Sequence, residues 1–185
     1  GGHVLRPSDG KPAHRIAFLQ CVGSRDQSHD YCSAVCCMYA AKEAVMAREH
    51  DPDTRVHVFM MDMRSFSKGY EAYYQRAHQQ YGVEYTRCRV SEVSESAETG
   101  NLILRYKKDE SGGNRSHSVV PPADTPGSIS EEEFDLVVLS VGMEISESVR
   151  ELGNDLGIEL DKYGFCHTVL FNPLETYWRQ CFTIK

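Results

Sequence analysis

The 185-residue sequence has no Gly-x-Gly-x-x-Gly turn, no Cys-x-x-Cys pair, no long apolar run and no concentration of basic residues. Each absence excludes something. A dinucleotide-binding turn needs glycine where the backbone must approach a pyrophosphate closely. Without Cys-x-x-Cys a catalytic disulfide is disfavoured, although a single activated thiol could still exchange. No segment approaches the roughly 20 apolar residues that span a bilayer, and the opening GGHVLRPSDGKPAHR lacks the apolar centre of a secretory signal. Lys and Arg number 20 against 27 Asp and Glu, a net charge of −7, and they are scattered along the chain. That speaks against a nucleic-acid or anionic-membrane surface, which needs clustered positive charge. The expectation is a soluble cytoplasmic protein, not membrane-spanning, whose partners are small molecules or proteins. Gly1-Gly2 need not be the biological start.

What is present is cysteine. Four of the seven cysteines fall within residues 21–37, two of them adjacent, which suits a ligand cluster in a reducing compartment better than a disulfide framework. The length fits one domain with a real core.

IAFL at 16–19 reads as a strand buried on both faces. Residues 33–49 read as a helix, with Val35, Met38, Ala41, Val45 and Met46 at three- and four-residue intervals as a core-packing stripe. DPDT at 51–54 breaks it, and RVHVFMMD at 55–62 supplies a second strand. A helix is expected over 69–81 and a third strand over 83–93. This alternation predicts a parallel sheet with right-handed crossovers, a Rossmann-like α/β domain. NLILRYKK at 101–108 alternates apolar and polar residues, as an antiparallel strand with one wet face does. Residues 109–133, rich in Gly, Pro, Ser and acid, read as a mobile loop; FDLVVLSVG at 134–142 reads as a buried strand and 147–156 as a short helix, with 157–185 as a tail.

The cysteine spacing is Cys21, ten residues, Cys32, three residues, then Cys36 and Cys37 together. Four thiolates at one strand-to-helix turn are enough to hold an iron–sulfur cube, whose usual protein ligands are four cysteines. Four-cysteine zinc is the nearest competitor, but zinc knuckles usually pair ligands two to four residues apart, whereas adjacent helical ligands splay by roughly 100°. Inert packed thiols are the third reading. Cys32 is expected at or just before the helix start with Cys36 and Cys37 in its first turns. Free N–H groups and the helix dipole there favour an anion, by about 0.3–1 kcal/mol at an exposed site. A thiolate-bound cluster would thus take the place that pyrophosphate holds in a dinucleotide fold.

The remaining candidates are weaker. Asp62 ends the second strand, where a dinucleotide fold places its ribose-binding carboxylate. Arg64 and Lys68 could face the cluster or a docking partner, or be solvated loop charges. His29 is an alternative ligand. Cys88, Cys166 and Cys181 have no partners at ligand spacing and read as core or incidental cysteines.

CVGSRD, YCSAVCCMYAAKEA, FMMDMRSFSKGYEAYYQRA and DLVVLSVGMEISE closely resemble the A subunit of heterodisulfide reductase, with its relatives in anaerobic bacteria and archaea, from about residue 4 to about residue 176. The resemblance implies the central part of a thioredoxin-reductase-like flavoprotein body, with a parallel sheet plus an antiparallel β-meander as in two-dinucleotide-binding flavoproteins. The full-length protein would carry FAD, several [4Fe-4S] clusters and partner subunits of a heterodisulfide-reductase-like or hydrogenase-linked complex. Such proteins relay electrons, in some complexes by flavin-based bifurcation, toward a disulfide or another acceptor. By the same resemblance the cluster ligands fall on Cys21, Cys32, Cys36 and Cys37, and the strand ending at Gly142 is where the chain passes back toward the flavin domain. The FAD fingerprint and the ferredoxin motifs are absent, and YWRQCFTIK departs from the flavin-contacting segment. A fragment of a larger flavoprotein is expected, serving electron transfer without bond-making chemistry. A pyridine-nucleotide- or FAD-binding disulfide oxidoreductase fragment and a zinc-stapled module are the alternatives.

Overall fold

Six successive residues of the first strand, Ile16–Cys21, are buried, and the architecture follows from what covers them. The computed structural model describes residues 3–107 and 128–176. Its elements run β1 (Arg15–Val22), α1 (Cys36–His50), β2 (Arg55–Met60), α2 (Tyr70–Gln79), β3 (Glu84–Arg87), β4 (Val90–Glu95), β5 (Leu102–Lys107), β6 (Ile129–Phe134), β7 (Leu136–Val141), α3 (Glu147–Asp155), β8 (Thr168–Val169) and β9 (Asn172–Thr176). They fall into two compact units, Gly1–Asp26 with Asp30–Gly142, and Gln27–His29 with Met143–Lys185.

In the first unit β3, β2, β1 and β7 form a parallel sheet in that order. Side chains alternate across a strand, so β1 offers two apolar faces. Ile16 and Phe18 join Val56 and Val58 against the alanines of α1 (Ala40, Ala44, Ala47) and Ala77 of α2. Ala17 and Leu19 join Phe59 on the other face, against Leu104, Tyr106 and Phe134 of a second, antiparallel sheet β4-β5-β6. Helices, parallel sheet and antiparallel sheet make three layers of an α/β fold; the strand–helix alternation predicts the parallel sheet, and the alternating pattern of residues 101–108 the antiparallel strand.

Three expectations need correction. The strand read over 83–93 is two strands: β3 ends at Arg87 in the parallel sheet and β4 begins at Val90 in the antiparallel one, with Cys88 and Arg89 at the corner. The stretch read as a loop over 109–133 ends in a strand, β6, whose glutamates find partners on β5, on β2 and in the turn before β5. Arg105 Nη2 lies 2.7 Å from Glu131, His57 Nδ1 3.3 Å from Glu132, and Thr99 Oγ1 donates to Glu133 at 2.5 Å. Residues 108–127 of that stretch lie outside the described residues. Finally β7, read as buried, is an edge strand among the described residues, with Leu139 53% and Val141 63% exposed.

The second unit holds α3, an antiparallel bridge between Leu160 and Cys166, and the β8–β9 hairpin. His29 belongs to it, its Nε2 2.9 Å from Glu144. Val149, Leu152 and Leu156 lie on one exposed face of the α3 region, as three- and four-residue steps along a helix require.

Candidate metal centre

The carboxyl end of β1 and the amino end of α1 bring the four cysteines to one place. Cys21 is lifted out of strand geometry. The β1–β7 register shifts between Leu19 and Val22, and Cys21 takes a left-handed backbone with φ 62°. A bulge of this kind re-aims a side chain. Arg25 (φ 57°) and Ala34 (φ 61°) are left-handed too, so among the described residues the three non-glycine residues of positive φ all lie in the segment that carries the cysteines. Each such residue costs about 1–3 kcal/mol and persists only where its surroundings impose it.

α1 begins at Cys36, later than the periodicity suggests, because Ala34 is left-handed and Val35 takes the cap position. Cys32, expected at or just before the helix start, therefore lies in the loop four residues before the helix, and Cys36 and Cys37 are in its first turn as expected. Val35 makes no side-chain cap and the first turn holds no acid, so the free N–H groups of the helix face sulfur. The Cys36 sulfur accepts from the sulfhydryl of Cys37 and from the N–H groups of Cys37, Cys36 and Cys21. Although burial opposes it, these bonds hold its thiol at about 6. Cys37 keeps the proton and is pushed far up, first by that bond to Cys36 and then by burial; the N–H of Arg64 acts against both. Its sulfur also lies 3.8 Å from the Asp62 carbonyl. Burial raises the Cys21 thiol, as do nearby Cys36 and Cys32, while Arg25 lowers it. The N–H of Ala34 donates to the Cys32 sulfur at 3.3 Å.

All four are free thiols; Cys21, Cys36 and Cys37 are buried and Cys32 half-buried. Ser33, between Cys32 and Ala34, keeps its Oγ buried with no hydrogen-bond partner. Among the described residues, no three His, Cys, Asp or Glu side chains are grouped to hold a metal ion. The donor set nonetheless fits a thiolate-ligated cluster by its chemistry: Cys21 lies in electrostatic range of Cys32, Cys36 and Cys37, backbone N–H groups are directed at Cys32, Cys36 and Cys37, and an unsatisfied hydroxyl stands beside them.

Arg25 was not singled out from the sequence. Its guanidinium hydrogen-bonds the Asp62 carboxylate and the Cys21 sulfur. The only signal was its place between Cys21 and Cys32, since Asp62 is 37 residues away. Asp62, the candidate ribose ligand, is thus taken by Arg25, with Arg64 Nε 3.5 Å from its other oxygen. Arg64 borders the site through its N–H to Cys37, whereas Lys68 is exposed on the turn before α2. Arg25, Asp26, Asp30, Cys32, Met61 and Arg64 line a cavity of about 240 Å³.

Gly142 acts through packing. Its N–H donates to the Val22 carbonyl at 2.7 Å, and a Cβ there would stand 2.5 Å from the Gly23 carbonyl oxygen. The end of β7 is pressed onto the turn that follows Cys21. His29 pairs with Glu144. Cys88 is half-buried, its thiol pushed up to about 12 by burial, and Cys166 is exposed. Cys181 lies outside the described residues.

No family model matches the chain. It is 46% identical over 168 residues to the iron-sulfur A subunit of the CoB–CoM heterodisulfide reductase of Methanocaldococcus jannaschii, covering 89% of this chain and 23% of that protein. The second of the corresponding iron-sulfur A subunits of Methanopyrus kandleri is equally similar, 46% over 168 residues with the same shares. The A subunit of the H(2)/formate:CoB-CoM heterodisulfide,ferredoxin reductase of Methanococcus maripaludis is 44% identical over 167 residues, with 89% and 23% covered. The chain spans about a quarter of the length of the curated relatives it matches. Among the described residues no helix is long and apolar enough to cross a membrane.

Proposed function

Since the chain corresponds to one segment of the heterodisulfide reductase A subunit, we propose that it is an electron-relay domain whose Cys21, Cys32, Cys36 and Cys37 hold one [4Fe-4S] cluster. The observation that carries this reading is the convergence of four free thiols on one strand-to-helix turn, with N–H donors directed at their sulfurs. Two of the relatives are named iron-sulfur subunits, which agrees with it. A cluster of this kind, when bound, takes up and returns single electrons. The chain's own part is to hold the ligands at fixed places, to offer N–H hydrogen bonds that steady negative charge on sulfur, and to limit water with the buried faces of Cys21, Cys36 and Cys37.

The strand order β3-β2-β1-β7, with the site at the carboxyl end of β1, matches the first four strands, 3-2-1-4, of a dinucleotide-binding fold. This supports a Rossmann-like domain in which sulfur occupies the helix end where such folds hold pyrophosphate. The FAD implied by the family resemblance would then belong to the rest of a longer flavoprotein, working in a cytoplasmic complex with other reductase subunits. A dinucleotide-dependent oxidoreductase is less favoured, because Asp62 is bound to Arg25 and Gly142 has no open space for a ligand. A zinc module is less favoured because zinc knuckles usually pair ligands two to four residues apart, whereas the adjacent Cys36 and Cys37 of α1 splay by roughly 100°.

Anaerobic reconstitution followed by iron and acid-labile sulfide analysis, with EPR of the dithionite-reduced chain, tests the proposal. About four irons and four sulfides per chain, the content of the cube, with a reduced-cluster signal is the expected result. Zinc without sulfide, or no metal after reconstitution, overturns it.

A further inference from the structure

We infer that Arg25, with Asp62 as its counter-charge, sets the reduction potential of the centre held by the four cysteines. This rests on the cluster reading above and adds a named determinant to it. Three bonds pin the residue. Its N–H donates to the Tyr31 carbonyl at 3.0 Å, its own carbonyl accepts from Arg89 Nη2 at 3.2 Å, and its guanidinium meets the Asp62 carboxylate. The backbone at Arg25 is left-handed in this arrangement, and the guanidinium hydrogen-bonds the Cys21 sulfur as well. A loop anchor alone needs no charge; a cation with its side chain only 18% exposed beside a ligand sulfur has an electrostatic consequence.

Potentials of thiolate-bound clusters respond to net charge, to hydrogen bonds on sulfur and to solvent exposure. Reduction adds negative charge, so a fixed cation raises the potential and a fixed anion lowers it, and partial burial weakens solvent screening of both. Arg25 and Asp62 therefore act with opposite sign. Arg64 stands 3.5 Å from the second Asp62 oxygen and adds to the cationic side. Asp26 and Asp30 line the adjoining cavity with Cys32 and oppose it. Lys in place of Arg25 keeps the charge but loses the planar fork that reaches sulfur and carboxylate together.

The test uses the 185-residue chain and its Arg25→Gln, Arg25→Lys and Asp62→Asn variants, reconstituted anaerobically, with iron and sulfide content measured beside the midpoint potential from an EPR-monitored titration. Arg25→Gln is expected to make reduction harder by about tenfold, equivalent to about 59 mV for one electron. Asp62→Asn is expected to shift the potential the other way, and Arg25→Lys to stay within about threefold of the parent. If Arg25→Gln fails to load, an upward shift in Asp62→Asn still supports the inference. Loaded Arg25→Gln and Asp62→Asn variants that keep the parent potential, or shift in the same direction, overturn it. A parent chain that takes up no iron and sulfide overturns the cluster reading, and the role of Arg25 with it.

Discussion

Gly142→Ala isolates the packing that closes the centre from the chemistry of the thiols. The added Cβ would lie 2.5 Å from the Gly23 carbonyl oxygen, 3.1 Å from its carbonyl carbon and 3.3 Å from Ser24 Cβ. The first two are backbone atoms and cannot rotate away. Overpacking of this kind costs about 1–3 kcal/mol, and displacing β7 stretches the 2.7 Å bond from the Gly142 N–H to Val22, about 0.5–1.5 kcal/mol more. The total, about 2–4 kcal/mol, moves a guanidinium denaturation midpoint by about 0.5–1 M at a slope of about 4 kcal/mol/M. Gly153→Ala is the control. Its Cβ would meet only the Leu160 side chain, at 3.2 Å, inside α3, where alanine is favoured over glycine by up to about 1 kcal/mol. Far-ultraviolet circular dichroism should show Gly142→Ala unfolding early and Gly153→Ala within about 1 kcal/mol of the parent. Because the displaced turn follows Cys21 directly, Gly142→Ala should also load less iron. An unchanged midpoint and unchanged iron content in Gly142→Ala would refute the claim that this backbone contact supports the site.

Cys36→Ala should abolish most iron uptake, whereas Cys88→Ala, which removes a half-buried thiol from the corner between β3 and β4, should leave it intact; equal retention by metal analysis would sink the ligand assignment. Phe59→Ala empties a ring that stacks on His57 at 4.1 Å and meets Tyr106 and Phe134 edge-on, and should cost about 3–5 kcal/mol in a denaturant titration. A loss under about 1 kcal/mol would show that the two sheets do not share this core. Glu132 is held below its usual range chiefly by its close contact with His57, whose Nδ1 lies 3.3 Å away, with burial opposing. A depressed carboxylate contributes stability that is present above its unfolded value, 4.5, and is lost as pH falls through the lower folded value. Glu132→Gln should therefore flatten the acid limb of the stability profile below about pH 4.5, and parallel profiles for variant and parent would contradict the assignment.

The parts of the molecule that were legible in the sequence depend on neighbours close in the chain. The double-faced burial of Ile16–Leu19, the alternation of strand and helix, and the crowding of Cys21, Cys32, Cys36 and Cys37 all announce themselves in local pattern. What escaped depends on distant partners. β6 reads as a charged loop because Glu131 and Arg105 are 26 residues apart, and only across the sheet do they neutralise one another. The corner at Cys88–Arg89 hides inside a run of uniform strand propensity, since both halves are strands and only the sheet they join differs. The left-handed backbone at Cys21 and Arg25 gives no compositional sign, because that region ordinarily calls for glycine. That glycine would be easier there is itself informative. A glycine at either position relieves the strain but removes the thiol or the guanidinium, so the side chains are retained against the local backbone preference, as expected where a site and not the fold sets the geometry. Ala34 shares the conformation without any such group, and its part is to end the loop so that α1 starts at Cys36. The adjacent pair thereby sits in the first turn, where the free N–H groups of the helix end are directed at sulfur.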